Sequence, residues 1–246
     1  MQQRFRIRVG EEQQFGPTDE GTIRNWYCEG RIEPTDVVQR EGATDWIPLG
    51  RAFNLSAWEH ASVLASFVDG RVTVVVGDIT RQRVEAIVNA ANTRLLGGSG
   101  VDGAIHEAGG PEILDACRHL RATRLPNGLP TGMAVETTAG LLPAKYVIHT
   151  VGPVWGAHSG HEAELLAAAY QNTMKLAVSL GLQSVAFPSI STGFYSYPLI
   201  EAAAISSRTV QRFLQNDTSL SEVRLVFYSH DLAAEFIMNH AFDSVT

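Results

Sequence analysis

A glycine-rich stretch that follows a pair of asparagines contains the residues best suited to chemistry. Residues 89–106 read Asn-Ala-Ala-Asn-Thr-Arg-Leu-Leu-Gly-Gly-Ser-Gly-Val-Asp-Gly-Ala-Ile-His. Glycines at this density weaken a helix or strand, since each costs about 0.5–1 kcal/mol there. They do let backbone N–H groups approach a phosphate closely. Asp102 lies where the loop passes into a predicted helix, and a carboxylate beside a phosphate is electrostatically unfavourable. We therefore predict an anion-binding loop in which Asp102 has a chemical task.

The elements that must position this loop follow an alternating strand and helix pattern. Val72–Val76 is an almost continuous β-branched run, typical of a strand covered on both faces, and Ala86–Asn89 is the next strand. Further strands are predicted at 133–138, 146–150, 185–188 and 223–228, and helices at 105–121 (broken at 109–111), 161–180, 199–214 and 232–241. This alternation predicts one three-layer α/β domain over residues 70–246.

The first 53 residues predict a separate small α+β unit. Arg4–Val9 alternates basic and apolar residues with period two, as in a strand with one wet face. Phe15-Gly16-Pro17 is expected to end the hairpin, and Thr18 to cap a short helix. Residues 54–69 have apolar residues at near-helical spacing without an internal proline or glycine, so we predict a connecting helix there.

The amino-acid composition indicates which binding partners and which cellular compartment to expect. A net charge of −7 argues against broad binding to a nucleic-acid backbone, which requires a basic surface. No run of about 18 apolar residues occurs, so no membrane segment is expected. Cys28 and Cys117 are too few for a disulfide framework, and we expect reduced thiols in a cytoplasmic protein. His158 and His161 lack the accompanying cysteine or carboxylate ligands of a zinc site, and neither a metal nor a cofactor is predicted.

The glycine loop also matches a dinucleotide-binding fingerprint, Gly98-x-Gly100-x-x-Gly103. In that fold the first glycine follows the strand directly, and an acidic residue lies about 20 positions further on. Here the stretch from Asn89, the last residue of the strand, to Leu96 lies before the first glycine of the loop, and the position 20 beyond Gly103 is Thr123. The context therefore disfavours an NAD-dependent oxidoreductase.

Taken together, several motifs in order resemble the macrodomain family. They are Gly77-Asp-Ile-Thr80, Ala86-Ile-Val-Asn-Ala-Ala-Asn92, Gly97-Gly-Ser-Gly-Val-Asp-Gly-Ala-Ile-His106, Leu142-Pro-Ala-Lys-Tyr-Val-Ile-His-Thr-Val-Gly-Pro153 and Phe187-Pro-Ser-Ile-Ser-Thr-Gly193. The Val-Asp-Gly-Ala-Ile-His run is most similar to the MacroD-type branch. The resemblance implies a mixed central sheet between helical layers and binding of ADP-ribose. It also implies metal-independent hydrolysis of mono-ADP-ribose from acidic side chains of proteins, or deacetylation of O-acetyl-ADP-ribose.

The resemblance also assigns roles to individual residues. Asp78 would accept a hydrogen bond from the adenine amino group, and Tyr228 would lie against the adenine ring. Asn92 would hold the distal ribose, and Asp102 would orient or deprotonate a water, supported by His106. The implied binding set is Gly77, Asp78, Ile79, Ala90, Asn92, Gly97, Gly98, Ser99, Gly100, Val101, Asp102, His106, Ile190, Ser191, Thr192, Gly193, Phe194, Tyr195 and Tyr228.

Each role has a purely structural alternative. Asp78 and Asn92 could serve as turn residues, Asp102 as a helix cap, His106 as a structural histidine and Tyr228 as a packed strand-end aromatic. His149, inside an apolar strand, is expected to be a core residue. The family usually has glycine at the position of Ser99. Because serine resists positive φ, we expect the loop to be slightly reshaped there.

Residues 3–50 resemble GYF_2-type domains, which are relatives of the GYF peptide-binding modules. The matching residues include Phe15-Gly16-Pro17, Trp26 and Trp46. The resemblance implies that residues 1–53 recruit a peptide or protein partner, with both tryptophans mainly in the core. For the whole chain the leading expectation is an ADP-ribosyl hydrolase. The alternatives are a non-catalytic ADP-ribose reader and an esterase whose main substrate is O-acetyl-ADP-ribose.

Overall fold

The computed structural model describes residues 3–10, 13–28, 31–55, 58 and 63–243, which form two β-sheets with associated helices. The first sheet has four antiparallel strands in the order β2-β1-β3-β4, and the second has seven in the order β5-β6-β11-β10-β7-β9-β8. Within these described ranges, no helix is long and apolar enough to cross a membrane.

The first sheet belongs to a small N-terminal module. Its elements are β1 Arg4–Val9, β2 Gln13–Asp19, α1 Glu20–Cys28, β3 Val37–Arg40, β4 Ile47–Pro48 and α2 Leu49–Ala52. The hairpin prediction is wrong in detail, because β2 continues through Phe15-Gly16-Pro17. Thr18 is therefore a strand residue, and the N–H of Thr22 is instead bound by the Asp19 carboxylate at 2.8 Å. Trp26 and Trp46 are half-buried, while Trp58 fills the module core with Ile7 and Ile23.

The second sheet is mixed, as predicted. Its strands are β5 Val63–Phe67, β6 Val72–Val76, β7 Ala86–Ala90, β8 Ala134–Thr138, β9 Tyr146–Thr150, β10 Ser184–Pro188 and β11 Glu222–Phe227. The five inner strands run parallel, and β5 and β8 are antiparallel edges. The predicted buried run at Val72–Val76 is confirmed as β6, and all four of its valines are buried.

Helices cover both faces of this sheet. They are α3 Gly100–Gly109, α4 Pro111–Thr123, α5 Glu162–Ser179, α6 Leu199–Asn216 and α7 His230–Asn239, with a 3-10 turn at Ile79–Arg81. One apolar core joins the sheet to α5, α6 and α7, and the other joins it to α3 and α4. The predicted break between the helices around Pro111 is confirmed. The three-layer α/β architecture is therefore as expected.

The connecting helix predicted over residues 54–69 is wrong at Val63–Phe67, which form strand β5. This strand pairs antiparallel with β6, and its Ala65 and Phe67 pack on the core of the large sheet. An apolar segment this short satisfies helical and strand periodicity almost equally, and sheet pairing decides between them. Residues 56, 57 and 59–62 of the predicted helix lie outside the described residues.

Candidate functional site

The predicted site residues gather at one edge of the large sheet, where the five parallel strands end. Asp78 follows β6, Tyr228 follows β11, and the loop 190–195 follows β10. Asn92 and the glycine loop follow β7, whose last residue is Ala90. Ligands of open α/β sheets bind in the crevice at the carboxyl ends of the strands. The topology therefore brings the predicted set to the edge at which such a crevice forms.

The glycine loop packs closely around a carboxylate. Gly97 and Gly100 have positive φ angles of 76° and 63°. A methyl group added at Gly98 would lie 2.8 Å from Asp102 Oδ2 and 3.4 Å from Asn92 Nδ2, so a side chain there requires the carboxylate or the loop to move. Ser99 has an extended backbone with φ −110°. Ser99 is therefore not required to adopt a positive φ, because the positive-φ residues of the segment 97–100 are the two glycines, and a reshaped loop stays a prediction.

Asp102 is a buried carboxylate held by side chains from other elements. Asn89 Nδ2 donates a hydrogen bond of 2.7 Å to Asp102 Oδ1, and Asn92 Nδ2 lies 3.4 Å from Oδ2. His106 Nε2 is 3.5 Å from Oδ1, one helical turn onward. Burial raises the pKa of Asp102, against the lowering effects of the Asn89 bond and of His106. The N-cap residue of α3 is Ser99, and Asp102 lies inside the first turn, so Asp102 does not occupy the cap position of the helix-cap alternative.

Asn92 connects the glycine loop to this carboxylate. Its Nδ2 donates to the Gly97 carbonyl at 3.0 Å, and its Oδ1 accepts the Arg94 N–H at 3.0 Å. The turn-forming role considered for Asn92 is therefore present alongside its proximity to Asp102. Asn92 is half-buried.

Asn89 and His149 are site residues that the sequence reasoning missed as partners. They are directly paired across the parallel strands β7 and β9, and Asn89 Nδ2 lies 3.0 Å from His149 Nδ1. His149 is fully buried, as expected of a core residue, and burial lowers its pKa to about 3. The sequence signal for this pairing is a polar residue within each of two apolar strands. The register between those strands, however, cannot be predicted from one sequence.

Cys117 lies beside this pair. Its Sγ is 3.7 Å from His149 Nε2, and the ligand atoms of His106, Cys117 and His149 all lie within 4.8 Å of one another. A zinc site would require the thiolate and an unengaged imidazole nitrogen. Burial instead raises the pKa of the Cys117 thiol to about 12, and His149 Nε2 is 2.8 Å from Thr137 Oγ1. Cys117 and His149 therefore fit a hydrogen-bonded cluster with Thr137 better than a metal centre.

The second predicted loop approaches Asp102 from β10. Ile190 is buried, and Ser191 adopts a positive φ of 67°, which is costly for a residue with a side chain. Ser191 Oγ is buried and has no hydrogen-bond partner among the described residues. The pKa of Tyr195 is raised by burial and by the negative charge of Asp102, whereas Phe194 is 94% exposed. Tyr195 is therefore near enough to Asp102 for that charge to affect its pKa.

Asp78 organises the opposite end. Its Oδ1 accepts hydrogen bonds from Thr80 N at 2.8 Å and Thr80 Oγ1 at 2.7 Å, which caps the 3-10 turn. Asp78 therefore does serve as a turn residue, as the structural alternative predicted. Asp78 Oδ2 lies 3.9 Å from Arg81 Nε. Ile79 is buried beneath the turn, and Tyr228 is 68% exposed beside it at the end of β11.

Comparison with known proteins decides the family. Residues 88–206 match the model of the Macro domain. The chain is 50% identical over 164 residues to the O-acetyl-ADP-ribose deacetylase of Citrobacter rodentium, covering 67% of this chain and 92% of that protein. It superposes on the Oceanobacillus iheyensis macrodomain with ADP, with TM-score 0.67, 46% identity and coverage of 68% and 88%. The Trypanosoma brucei macrodomain in complex with ADP-ribose gives TM-score 0.62, 38% identity and coverage of 68% of each chain.

The chain belongs to the macrodomain family. The large sheet of this macrodomain is contacted by the N-terminal module, which lies outside the part that matches the family model. The N–H of Asp78 donates to the Cys28 carbonyl at 3.1 Å, and a methyl group added at Gly77 would lie 2.7 Å from that carbonyl oxygen. Arg81 forms an ion pair of 2.6 Å with Glu33 of the module. The module therefore supports the backbone of the Asp78 end of the site.

Proposed function

We propose that this macrodomain binds ADP-ribose and hydrolyses mono-ADP-ribose esters at acidic side chains of proteins, or the acetyl ester of O-acetyl-ADP-ribose. The observation that supports hydrolysis best is the Asp102 carboxylate, buried beside a glycine loop and held by Asn89, Asn92 and His106. A reader that only binds ADP-ribose needs the loop but not this carboxylate. The relative from C. rodentium bears the name of a deacetylase.

The arrangement accounts for how an acidic chain would hold an anion. Backbone N–H groups of residues 97–103 would face one side of the diphosphate, and those of 191–195 the other. The N-terminus of α3 at Gly100 points its dipole at the same place, which favours negative charge without a lysine. The strained, buried Ser191 supports a ligand-shaped loop. The adenine would lie at the other end, against Asp78, the Ile79 backbone and Tyr228.

The chemical step would take place at the distal ribose. Asn92 would bond the ribose hydroxyls, and Asp102 would accept a proton from a water aimed at C1″ or at the acyl carbon. A base must be ionised when it works and still hold a proton well enough to take one. Burial raises the pKa of Asp102 in the direction that improves a carboxylate as a base, while Asn89 and His106 keep the ionised form accessible.

Two measurements on the wild-type chain test this function. Calorimetry with ADP-ribose in the presence of a chelator is expected to show metal-independent binding. Incubation with glutamate-linked mono-ADP-ribosyl protein, and separately with O-acetyl-ADP-ribose, is expected to release ADP-ribose from at least one of them. Binding without release from either substrate would identify a reader instead. No binding at millimolar ADP-ribose would contradict the proposal altogether.

We also propose that residues 1–53 form a GYF_2-like interaction module for a protein partner, followed by a catalytic macrodomain. Within the link predicted at 54–69, Trp58 packs in the module core and Val63–Phe67 pair with the large sheet. An edge-to-face pair of Phe15 and Trp26, with ring centroids 5.8 Å apart, supports an aromatic binding surface. Titration with a proline-rich peptide should broaden the Trp26 indole signal in NMR spectra. The same titration of the Phe15→Ala variant should not. Both cysteines are thiols, which fits the proposed cytoplasmic location.

A further inference from the structure

A buried series of hydrogen bonds runs from Asp102 into the large sheet. Asn89 Nδ2 contacts both Asp102 Oδ1 at 2.7 Å and His149 Nδ1 at 3.0 Å. His149 Nε2 lies 2.8 Å from Thr137 Oγ1, and Thr137 Oγ1 lies 3.0 Å from the Thr138 carbonyl. Asn89, His149 and Thr137 come from three adjacent strands, β7, β9 and β8. All of their side chains are buried, so water does not compete for these bonds.

The direction of every hydrogen bond in this series follows from its two ends. The amide nitrogen of Asn89 has two N–H groups and no lone pair to offer, so it donates both to Asp102 and to His149. His149 Nδ1 is then an acceptor, and the single proton of the neutral imidazole lies on Nε2. This Nε2–H donates to Thr137 Oγ1. The Thr137 hydroxyl donates in turn to the Thr138 carbonyl, which can only accept.

We propose that His149 and Thr137 are positioning residues that hold Asn89 as a donor to Asp102 and so favour the ionised carboxylate. Thr137 does this by accepting the Nε2 proton of His149, which leaves Nδ1 free to accept from Asn89. This inference rests on the proposed function in one respect, namely that Asp102 acts as the base. The placement of the protons follows from the geometry alone.

The other neutral tautomer of His149 would give a different set of contacts around Asp102. If His149 carried its proton on Nδ1, that N–H would face the N–H of Asn89, and the amide would have to turn over. Asn89 Oδ1 would then face Asp102 Oδ1 and repel the carboxylate, which would favour its protonated form. In the observed orientation Asn89 Oδ1 is buried and has no partner among the described residues. The amide thus forgoes a hydrogen bond at its oxygen, and the two bonds at its nitrogen must outweigh that cost.

Other ionisable groups face this series and are left in place by the single substitutions at Thr137 proposed below. His106 lies 3.5 Å from Asp102 Oδ1, and its ring centroid is 6.1 Å from that of His149. Tyr195 faces Asp102 from the loop after β10. Cys117 lies 3.7 Å from His149 Nε2, and its thiol sulfur is a weak alternative acceptor for the Nε2 proton.

A matched pair of substitutions at Thr137 tests the positioning role. Valine has nearly the shape of threonine without the hydroxyl, and serine retains the hydroxyl. Thr137→Val is expected to move the acid limb of the single-turnover rate to higher pH and to slow turnover at pH 6 by about tenfold. Binding of ADP-ribose should not change, and Thr137→Ser should keep the wild-type profile. An additional Cys117→Ala change in the valine variant removes the alternative acceptor and should enlarge the shift.

A second measurement uses the ligand-free wild-type protein and requires no activity. Long-range ¹H–¹⁵N correlation spectra distinguish the two neutral histidine tautomers. His149 is expected to be neutral at pH 7 with its proton on Nε2. A proton on Nδ1, or a Thr137→Val variant that folds and retains the wild-type acid limb, would overturn the inference. If the wild type releases no ADP-ribose while His149 has the Nε2–H tautomer, the proposed function fails and the proton placement stands.

Discussion

The two ends of the candidate site each present an aspartate, and the two carboxylates are held very differently. The Asp102 side chain is 7% exposed, and its partners Asn89 and Asn92 come from outside its helix. The Asp78 side chain is 27% exposed, and its close partner is Thr80 of its own turn. Burial raises the pKa of Asp102. Under the proposed function, the buried Asp102 is the residue for proton transfer and the capped Asp78 is a recognition group.

The largest expected effect is the loss of turnover on neutralising the buried carboxylate. Asp102→Asn keeps the size and a hydrogen-bond acceptor for Asn89 but cannot accept a proton at neutral pH. Single-turnover release of ADP-ribose should slow by about 10²–10⁴-fold, the usual contribution of a positioned base. Equilibrium binding of ADP-ribose should be equal or tighter, because a negative charge near the diphosphate is removed. Unchanged turnover would assign the base to the substrate phosphate or to another residue.

A methyl group at Gly98 should displace the same carboxylate without altering its charge. The added carbon would meet Asp102 Oδ2 at 2.8 Å, so the carboxylate or the loop must move. Misplacement of a catalytic group by about 1 Å costs on the order of 10²-fold in rate. Gly98→Ala is therefore expected to slow release by about that factor, measured under single-turnover conditions. If Gly98→Ala turned over at the wild-type rate, and its crystal structure showed Asp102 unmoved, the loop would tolerate this contact.

Asp102→Asn should raise the free energy of unfolding, although it lowers activity. A raised pKa means that the folded protein holds the Asp102 proton more tightly than the unfolded chain does. The penalty for the buried carboxylate is therefore absent at pH below about 3.9 and grows as pH rises through the folded-state pKa. Asp102→Asn should raise the free energy of unfolding at pH 7.5 by about 1 kcal/mol, with no gain near pH 3.5.

Asp78→Asn serves as the matched control for that stability measurement. Asparagine caps turns and helices about as well as aspartate, so the free energy of unfolding should change by less than about 0.5 kcal/mol. Urea unfolding of both variants at the two pH values gives the comparison. A stability gain in Asp78→Asn as large as that in Asp102→Asn would contradict the distinction between the two carboxylates.

The smallest effect is expected where the N-terminal module contacts the Asp78 end. The Glu33–Arg81 pair is partly exposed, and such pairs contribute about 0.2–1 kcal/mol. Glu33→Gln should weaken ADP-ribose binding by less than about fivefold, and 0.5 M salt should remove the difference. Calorimetry at low and high salt measures this. A loss above about tenfold that persists in salt would show that the module shapes the site through more than this ion pair.

Much of the fold was predictable because the large sheet has clear sequence signals. The almost continuous β-branched run at 72–76 predicted a doubly covered strand, and Gly109-Gly110-Pro111 predicted the break between α3 and α4. The strand at Val63–Phe67 was not predictable in the same way. It is a short edge whose conformation depends on pairing with β6, and its apolar spacing also fits a helix.

The candidate site likewise has a part that could be predicted from the sequence and a part that could not. Glycines, Asn92 and Asp102 are adjacent in sequence, so their joint role could be predicted from one stretch. The partnership of Asn89 with His149 depends on the register of β7 against β9, residues 60 positions apart. The contact of Cys28 with Asp78 depends on how two sheets meet. Neither the register nor the packing is fixed by local composition.

The pH dependence of single-turnover release, from pH 4 to 7.5, tests the central claim most directly when wild type, Asp102→Asn and Asp78→Asn are measured side by side. Because the base must be ionised, the wild-type rate should fall as pH falls through the pKa of Asp102. Burial places that limb above the ordinary range for aspartate. Asp78→Asn should keep the limb and lose affinity for ADP-ribose, whereas Asp102→Asn should be slow and flat across the range. An acid limb that persists in Asp102→Asn, or disappears in Asp78→Asn, would contradict the assignment of Asp102 as the base.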